Sequence, residues 1–241
     1  MDHKAREQEK LDVLHILKRA GAMRQGHFVL ASGRHADRYV AKDDVYLKTS
    51  DVSRLCRLFA KHFAERQIEA VVGPEMGGSP LSQWTAHHLT TSFSSLTGNE
   101  GPIAIVAEKE RIAIPDPDGK GRKCVVETGN FVLKRGRDKL VHGKRVLVVE
   151  DVVTTGGSVK KNVELVRAAG GEVVGVAVLV NRGGVTAEDI GGVPELFSLV
   201  EVELDSWEEA ECIRMGPCSR RVPINTDVGK GAEYLARQNA G

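Results

Sequence analysis

The sequence predicts an α/β protein whose mostly parallel, twisted sheet is flanked by helices. A small N-terminal hood, which consists of the helix and hairpin predicted within residues 1–48, precedes this sheet. Short apolar runs, such as residues 70–73 and 145–149, indicate buried strands, and segments of helical periodicity separate them. Continuous apolar strands are typical of parallel sheets that helices cover on both faces. The chain has 241 residues, of which 41% are hydrophobic, so it can bury one large core.

The elements follow from local patterns. Residues 5–20 predict a helix because Leu11, Leu14 and Leu17 recur on one stripe. Two strand-like runs then flank residues 31–34, which predicts a hairpin with a tight turn. The later strands each contain a short apolar run, and we expect them at 70–73, 103–108, 145–149, 172–181 and 195–202. A helix is expected at 158–169, before two glycines.

Residues 110–144 break this alternation. They contain two Pro-Asp pairs, several glycines and many basic residues, and they are long for a connection in a compact domain. We expect a mobile functional loop, with residues 125–126 and 131–133 pairing as a small hairpin inside it. The expected organisation is a hood at 1–48, an α/β core at 49–205 and a C-terminal extension at 206–241.

Composition narrows the function classes. The formal net charge is +1, which favours neither a nucleic-acid-binding protein nor a membrane-surface protein. The N-terminal segment lacks an apolar signal-peptide core, and no apolar run has the length of a membrane span, so we expect a cytoplasmic protein. Cys212 and Cys218 lie six apart without a neighbouring His in the sequence. Ordinary thiols are the preferred interpretation, and a zinc site is the alternative.

The stretch "VLVVEDVVTTGGSV" at residues 146–159 carries the strongest chemical signal. It places a strand, two acids, a hydroxyl-glycine turn and a helix start in that order. Gly156 and Gly157 allow close backbone approach, and successive N–H groups at a helix start form an anion site. The hydroxyls of Thr154, Thr155 and Ser158 add donors. This turn predicts a site for a phosphate monoester.

Glu150 and Asp151 need a different explanation, because carboxylates repel phosphate. They fit a ligand that also carries neutral hydroxyls or a nearby Mg²⁺. Sugar hydroxyls and a phosphate side by side describe a ribose 5-phosphate. The alternative is a solvated acidic strand end followed by a helix cap, and the order of the elements favours the ligand site.

The same stretch resembles the phosphoribosyl-pyrophosphate (PRPP) signature of the type I phosphoribosyltransferases. The resemblance implies that family's fold, with Glu150 and Asp151 on the ribose hydroxyls and residues 154–158 on the 5-phosphate. It also implies a pyrophosphate loop, for which "GPEMGGSP" at residues 73–80 follows an earlier strand. Taken alone, that turn could be an ordinary strand-to-helix connection. The implied PRPP-binding residues are Glu75, Met76, Gly77, Gly78, Lys109, Glu150, Asp151, Val152, Thr154, Thr155, Gly156, Gly157 and Ser158.

Three stretches resemble the orotate phosphoribosyltransferase branch: "HFVLASGRHADRYV" at 27–40, "AEKE" at 107–110 and "LVNRGG" at 179–184. The first resembles a hairpin that helps cover the base, the second the start of a mobile loop whose Lys109 binds diphosphate, and the third a strand end whose arginine meets orotate. A guanidinium suits a carboxylate or a polar pyrimidine edge. The tail "PINTDVGKG" at 223–231 resembles the ends of some bacterial members. The implied base-binding residues are Ser32, Gly33, Tyr39, Thr154 and Arg182.

The sequence also departs from the branch. Ala31 stands where the hairpin usually has a lysine, and Arg111 is followed by "IAIPDPDG" where a Lys and a His usually follow. Lys120, Arg122 or Lys123 could supply the missing cations. These departures keep two alternatives open: transfer to another base such as a purine, and a non-catalytic PRPP-sensing regulator. The roughly 20 residues before the hairpin are too few for a winged-helix DNA-binding domain.

The resemblance implies an enzyme, a glycosyltransferase that joins a base nitrogen to C1 of PRPP and releases pyrophosphate. Lys109, Glu150 and Asp151 would be its catalytic residues, and no covalent nucleophile is needed. Mg²⁺ is the implied cofactor, bound through PRPP, so no protein metal ligand is expected. A homodimer is implied because the family's loop reaches a neighbouring subunit. No nucleic-acid or membrane partner is expected.

Overall fold

The computed structural model describes residues 3–30, 32–97, 101–115 and 123–238. Ala31, Lys120 and Arg122 therefore lie outside the described residues. The chain forms two compact units, one made of Met1–Asp51 with Val202–Gly241 and the other of Val52–Glu201. Among the described residues, no helix combines the length and the apolar character that a membrane span needs.

The described residues form nine strands, seven α-helices and two short 3₁₀ helices. The strands are β1 (Met23–Val29), β2 (His35–Val40), β3 (Ala70–Pro74), β4 (Ile103–Pro115), β5 (Lys123–Val132), β6 (Arg145–Val153), β7 (Glu172–Asn181), β8 (Leu196–Glu201) and β9 (Ser206–Trp207). The α-helices are α1 (His3–Arg19), α2 (Thr49–His62), α3 (Gly78–Thr97), α4 (Arg137–Val141), α5 (Gly157–Ala168), α6 (Glu209–Met215) and α7 (Gly231–Gln238). Short 3₁₀ helices lie at Lys42–Leu47 and Ala64–Arg66.

The larger unit contains a six-stranded sheet in the order β5-β4-β3-β6-β7-β8. All neighbours pair in parallel except β4 and β5, which are antiparallel. Val146, Leu147 and Val148 of β6 are fully buried, as a continuous apolar run in a covered parallel sheet requires. The predicted fold class, a mostly parallel sheet flanked by helices, is confirmed.

The strand order reverses between β3 and β6, which are neighbours in the sheet. From β3 the chain passes through α3 to β4 on one side, and from β6 it passes through α5 to β7 on the other. In an open parallel sheet, ligands bind beyond the carboxyl ends of the strands at such a reversal point. The carboxyl ends of β3 and β6 are therefore where the fold predicts the ligand site.

The prediction of a small hairpin inside residues 110–144 is wrong. Residues 125, 126, 131 and 132 all lie on β5, and this strand pairs with β4, for example Val126 with Ile112 and Phe131 with Lys109. β4 continues to Pro115 because the alternating Ile112 and Ile114 maintain the strand period beyond residue 108. The turn signals Pro and Gly cluster at residues 115–121, before β5 and not within it.

The smaller unit is built around the predicted N-terminal hairpin. β1 and β2 pair antiparallel, with Phe28 opposite Ala36 and Val29 opposite His35, and β9 adds a third strand. The C-terminal tail runs along the same hairpin, because the N–H groups of Asn225 and Lys230 donate to carbonyls of β1 at 2.7 and 2.8 Å. The C-terminal extension and the hairpin therefore form one compact unit.

Candidate active site

The hydroxyl-glycine turn joins the end of β6 to the start of α5. Gly156 has φ of +78° and precedes the first residue of the helix. A Cβ there would lie 2.8 Å from Ile190 Cγ2, so the position requires glycine for both its conformation and its space. Thr154 and Thr155 are exposed beside it. Their hydroxyls and the α5 N-terminus form the donor-rich turn that a phosphate needs.

The two acids lie within β6, which runs to Val153 and not only to residue 149 as expected. Glu150 is 6% exposed and Asp151 is 1% exposed. The Glu150 carboxylate accepts hydrogen bonds from the Asp151 N–H at 3.1 Å and from the Ser158 hydroxyl at 3.2 Å. The Val152 N–H donates to Asp151 Oδ1 at 2.6 Å. The turn and the backbone thus fix both carboxylates in position, directly before the predicted phosphate turn.

The loop at 181–185 approaches this turn closely. Asn181 closes the loop, because its side chain donates to the Val185 carbonyl at 2.8 Å and accepts from the Val185 N–H at 3.1 Å. The Arg182 N–H donates to the Val153 carbonyl at 2.8 Å. A Cβ on Gly183 would lie 1.8 Å from the Thr154 carbonyl oxygen. Backbone contact therefore brings Arg182, the predicted base-binding arginine, beside the turn that carries Thr154.

The predicted pyrophosphate loop connects β3 to α3. Gly73 and Gly78 are in backbone contact across it, since a Cβ on Gly73 would lie 2.1 Å from the Gly78 carbonyl oxygen. Between them Met76 is 79% exposed, and Glu75 and Gly77 are half-buried. This tight turn presents backbone groups and the N-terminus of the long helix α3 at the carboxyl end of β3.

Lys109 belongs to a network of four charged side chains. Its N–H donates to Glu75 Oε2 at 2.8 Å and its Nζ to Glu127 Oε2 at 2.8 Å. Arg111 Nη2 donates to Glu75 Oε1 at 2.6 Å and to Glu127 Oε1 at 3.1 Å. Hydrogen bonds from Arg111 and Lys109 lower the pKa of Glu75, and those from Lys109 and Arg111 lower the pKa of Glu127. The network links β4, β5 and the pyrophosphate loop.

Arg111 is the site residue that sequence reasoning missed. We treated it only as a departure from the family pattern, yet it contacts the Glu75 carboxylate directly. The signal was its position two residues after Lys109 on a strand, where alternate side chains share a face. Lys123, one of the proposed replacement cations, is exposed at the start of β5 opposite Pro115.

The hood residues lie in the smaller unit. Ser32 and Gly33 form the hairpin turn, where Gly33 has φ of +82°, and they line a cleft with Lys230 and Tyr234 of the tail. Tyr39 is half-buried on β2, and its ring lies 5.3 Å from that of Phe28. Tyr39 thus makes a packing contact, and its role at a base stays a prediction, as do the roles of Ser32 and Gly33.

The comparison with protein families matches this architecture. The family model for the phosphoribosyl transferase domain matches residues 48–212, which include β3 to β8, the turn at 154–158 and the loops at 73–78 and 181–185. The chain therefore belongs to the phosphoribosyltransferase family.

Individual relatives specify the branch. The orotate phosphoribosyltransferase of Caldanaerobacter subterraneus subsp. tengcongensis is 34% identical over 216 residues, which are 90% of this chain and 95% of that protein. The crystal structure of Mycobacterium tuberculosis H37Rv orotate phosphoribosyltransferase with inorganic phosphate has a TM-score of 0.57 and 28% identity, and covers 81% of this chain and 96% of that one. The same enzyme in complex with PRPP has a TM-score of 0.52 and 26% identity, with 80% and 96% covered. These relatives place the chain in the orotate phosphoribosyltransferase branch.

Proposed function

We propose that this protein transfers the ribose 5-phosphate group of PRPP to orotate and releases pyrophosphate, a step of pyrimidine nucleotide synthesis. The observation that carries the proposal is the pairing of two buried carboxylates with a phosphate turn at the reversal point of the sheet. The relatives' activity favours orotate over a purine, and an enzyme over a PRPP-sensing regulator.

Each group of residues has a distinct role in this proposal. The turn at residues 154–158 holds the 5-phosphate, while Glu150 and Asp151 accept hydrogen bonds from the ribose hydroxyls. Hydrogen bonds from the Asp151 N–H and the Ser158 hydroxyl to Glu150, and from the Val152 N–H to Asp151, support this role because they fix the orientation of both carboxylates. Together these contacts fix the ring so that C1 faces the incoming base.

The bond between C1 and the pyrophosphate oxygen breaks while the base nitrogen bonds to C1. The transition state carries positive charge on the ribose ring and negative charge on the leaving diphosphate. Lys109 and the backbone N–H groups of Gly77 and Gly78 are proposed to stabilise the diphosphate. Arg111 joins them because it lies in the same charged network. Arg182 is proposed to bind the orotate carboxylate or ring edge.

Mg²⁺ is the cofactor that the family implies. The residues fit it, because the carboxylates of Glu150 and Asp151 lie directly before the proposed phosphate turn and place negative charge there, which attracts Mg²⁺. When bound through PRPP, the ion would neutralise charge on the leaving diphosphate. In this proposal Glu150 and Asp151 hold the ribose hydroxyls and attract the ion electrostatically, and PRPP supplies its ligands.

Further parts of the proposal concern organisation. The hood at 1–48 is proposed to cover the base, the core at 49–205 to bind PRPP, and residues 110–144 to close over the site. Closure would exclude water, which competes with the base as the nucleophile. A homodimer and a cytoplasmic location are proposed as well, and size-exclusion chromatography with light scattering measures the first.

The site assignment is tested by neutralising both acids in one variant, Glu150→Gln with Asp151→Asn. We expect PRPP turnover to fall by at least about 10³-fold, because both anchors of the ribose are lost. The matched control is Glu164→Gln with Glu65→Gln, which neutralises two exposed acids of the same unit. Pyrophosphate release measures turnover, and circular dichroism checks the fold. Equal turnover in the folded double variant and the control would remove these carboxylates from the mechanism.

A further inference from the structure

Four potential metal ligands meet in the smaller unit, which contains none of the residues assigned to PRPP. They are His27 of β1, His35 of β2, Cys212 of α6 and Cys218 of the turn that follows α6. Their ligand atoms all lie within 4.8 Å of one another. The two histidines and Cys212 are buried, and Cys218 is partly buried. The cluster could not be predicted from local sequence patterns, because the two histidines and the two cysteines are about 180 residues apart in the chain.

The geometry points to a structural zinc site, and we propose that these four side chains bind one Zn²⁺ tetrahedrally. Zinc bonds of about 2.3 Å to sulfur and about 2.0 Å to nitrogen place tetrahedral S and N ligands about 3.5 Å apart. The Cys218 sulfur lies 3.5 Å from His35 Nδ1 and 3.7 Å from His27 Nε2. The Cys212 sulfur lies 3.9 Å from His27 Nε2. These separations match a coordination sphere within a few tenths of an ångström.

The two imidazole nitrogens are the exception. His27 Nε2 and His35 Nδ1 are 2.7 Å apart, which is a hydrogen-bond distance, whereas two zinc-bound nitrogens are about 3.3 Å apart. Metal binding therefore replaces this hydrogen bond and moves the rings apart by about 0.6 Å. Rotation of two side chains is sufficient for a shift of that size.

Neighbouring backbone groups orient His27 and Cys212 for metal binding. His27 Nδ1 lies 2.8 Å from the Val222 carbonyl oxygen, which can only accept, so Nδ1 carries the proton and Nε2 presents a lone pair. A backbone carbonyl that orients a histidine in this way is a recurrent feature of zinc sites. The Cys218 N–H donates to the Cys212 sulfur at 3.3 Å. A Cβ on Gly216 would lie 2.8 Å from that sulfur, so the absence of a side chain at residue 216 provides the space for the Cys212 side chain.

The second ring nitrogen of His35 has no hydrogen-bond partner among the described residues. Within the described part of the chain, the buried His35 Nε2 makes no hydrogen bond, and its ring meets Tyr234 edge-on at 5.2 Å. With Nδ1 bound to a metal, the proton of the neutral ring lies on Nε2, so His35 is in the tautomer that a zinc-bound Nδ1 requires.

The donor set selects the metal and its role. Two thiolates and two neutral imidazoles cancel the charge of Zn²⁺, which a buried site requires. A tetrahedral S₂N₂ set suits zinc, whereas Mg²⁺ prefers oxygen ligands. Since the protein supplies all four ligands, no position stays open for a substrate, and the site is structural. Its role is to join the N-terminal hairpin to the C-terminal extension within one unit.

The test starts with metal content. The full chain is produced with zinc in the medium and purified under reducing conditions without a metal-affinity column. Inductively coupled plasma mass spectrometry then measures the bound zinc per chain. We expect about one zinc per chain, retained in Cys124→Ser and lost in Cys212→Ser and Cys218→Ser. Cys124 is the matched control because it lies on β5, outside the cluster. Wild-type protein without zinc, or one that carries a Cys212–Cys218 disulfide in its place, would overturn the proposal.

A second measurement does not depend on variants that fold poorly. Replacement of the metal in the wild-type chain by Co²⁺ should give intense visible bands of tetrahedral cobalt and a near-ultraviolet thiolate-to-cobalt charge-transfer band. A weak, octahedral spectrum without the charge-transfer band would contradict an S₂N₂ site. Zinc that stays bound at full occupancy in both cysteine variants would equally refute this assignment.

Discussion

Substitution of Gly183 by alanine tests whether backbone contact between two loops positions the proposed binding residues Arg182 and Thr154. Gly183 follows Arg182, and a Cβ there would lie 1.8 Å from the Thr154 carbonyl oxygen, with the Thr154 carbonyl carbon at 2.8 Å. Both obstacles are backbone atoms, so no side chain can rotate away. The loop that carries Arg182 and the turn that carries Thr154 must therefore separate.

The size of this displacement can be worked from the contact. Real Cβ atoms essentially never approach closer than 3.0 Å, so the separation must grow from 1.8 Å by at least about 1.2 Å. A misplacement of about 1 Å in an active site can cost about 10²-fold in rate. We therefore expect kcat/KM to fall by about 10²-fold, equivalent to about 2.7 kcal/mol of transition-state stabilisation. The change should appear for both orotate and PRPP.

Gly184→Ala provides the control at the adjacent position. A Cβ on Gly184 would have no neighbour within 4 Å, although its φ of +61° strains a non-glycine residue. It therefore adds about 1 kcal/mol of backbone strain without a clash. Steady-state assays with each substrate varied, together with thermal unfolding, separate the two effects. Equal activity of Gly183→Ala and Gly184→Ala would refute the view that close contact with Thr154 holds the site.

Three further predictions concern other parts of the larger unit. Lys109→Ala should lower kcat/KM for PRPP by about 10²-fold without changing the melting temperature by more than a few degrees, whereas Lys61→Ala, at an exposed position in the last turn of α2, should leave the kinetics unchanged. Hydrogen bonds from Arg111 and Lys109 lower the pKa values of Glu75 and Glu127, so the contribution of these carboxylates to ordering β4 and β5 should persist above pH 4.5 and be lost as the pH falls through the lowered values. Carboxyl NMR titration should give midpoints below 4.5, and a midpoint at or above that value would contradict the network. Burial raises the pKa of the Cys56 thiol to about 12, so alkylation at pH 8 should spare it in the folded protein and label it after unfolding, which peptide mass spectrometry can measure.

The strands of the core could be predicted from sequence because each is a continuous apolar run bounded by a turn signal. The run at 172–181 coincides with β7, and that at 145–149 gives the start of β6. The end of β6 was missed because acids are rare inside strands, and Glu150 and Asp151 are accommodated only through hydrogen bonds that the fold supplies.

Contacts between distant segments lay beyond local patterns. The pairing of β4 with β5 was missed because the composition of this segment indicated a loop. In the structure, exposed residues such as Ile112 and Val125 belong to strands because β4 and β5 pair with each other. The His27 and Cys212 neighbourhood could not be foreseen, because no spacing rule connects a β-hairpin with a C-terminal extension. The phosphate turn was predictable because all of its donors lie within one short stretch of chain.

The central claim, transfer of ribose 5-phosphate from PRPP to orotate, is tested most directly by pyrophosphate release from PRPP and Mg²⁺ with a panel of bases. Orotate, uracil, adenine, guanine and hypoxanthine are compared at equal concentration with the same purified chain. The account predicts release with orotate that exceeds release with every other base by at least about 10²-fold. Release that depends on a purine, or PRPP binding without release on any base, would contradict it.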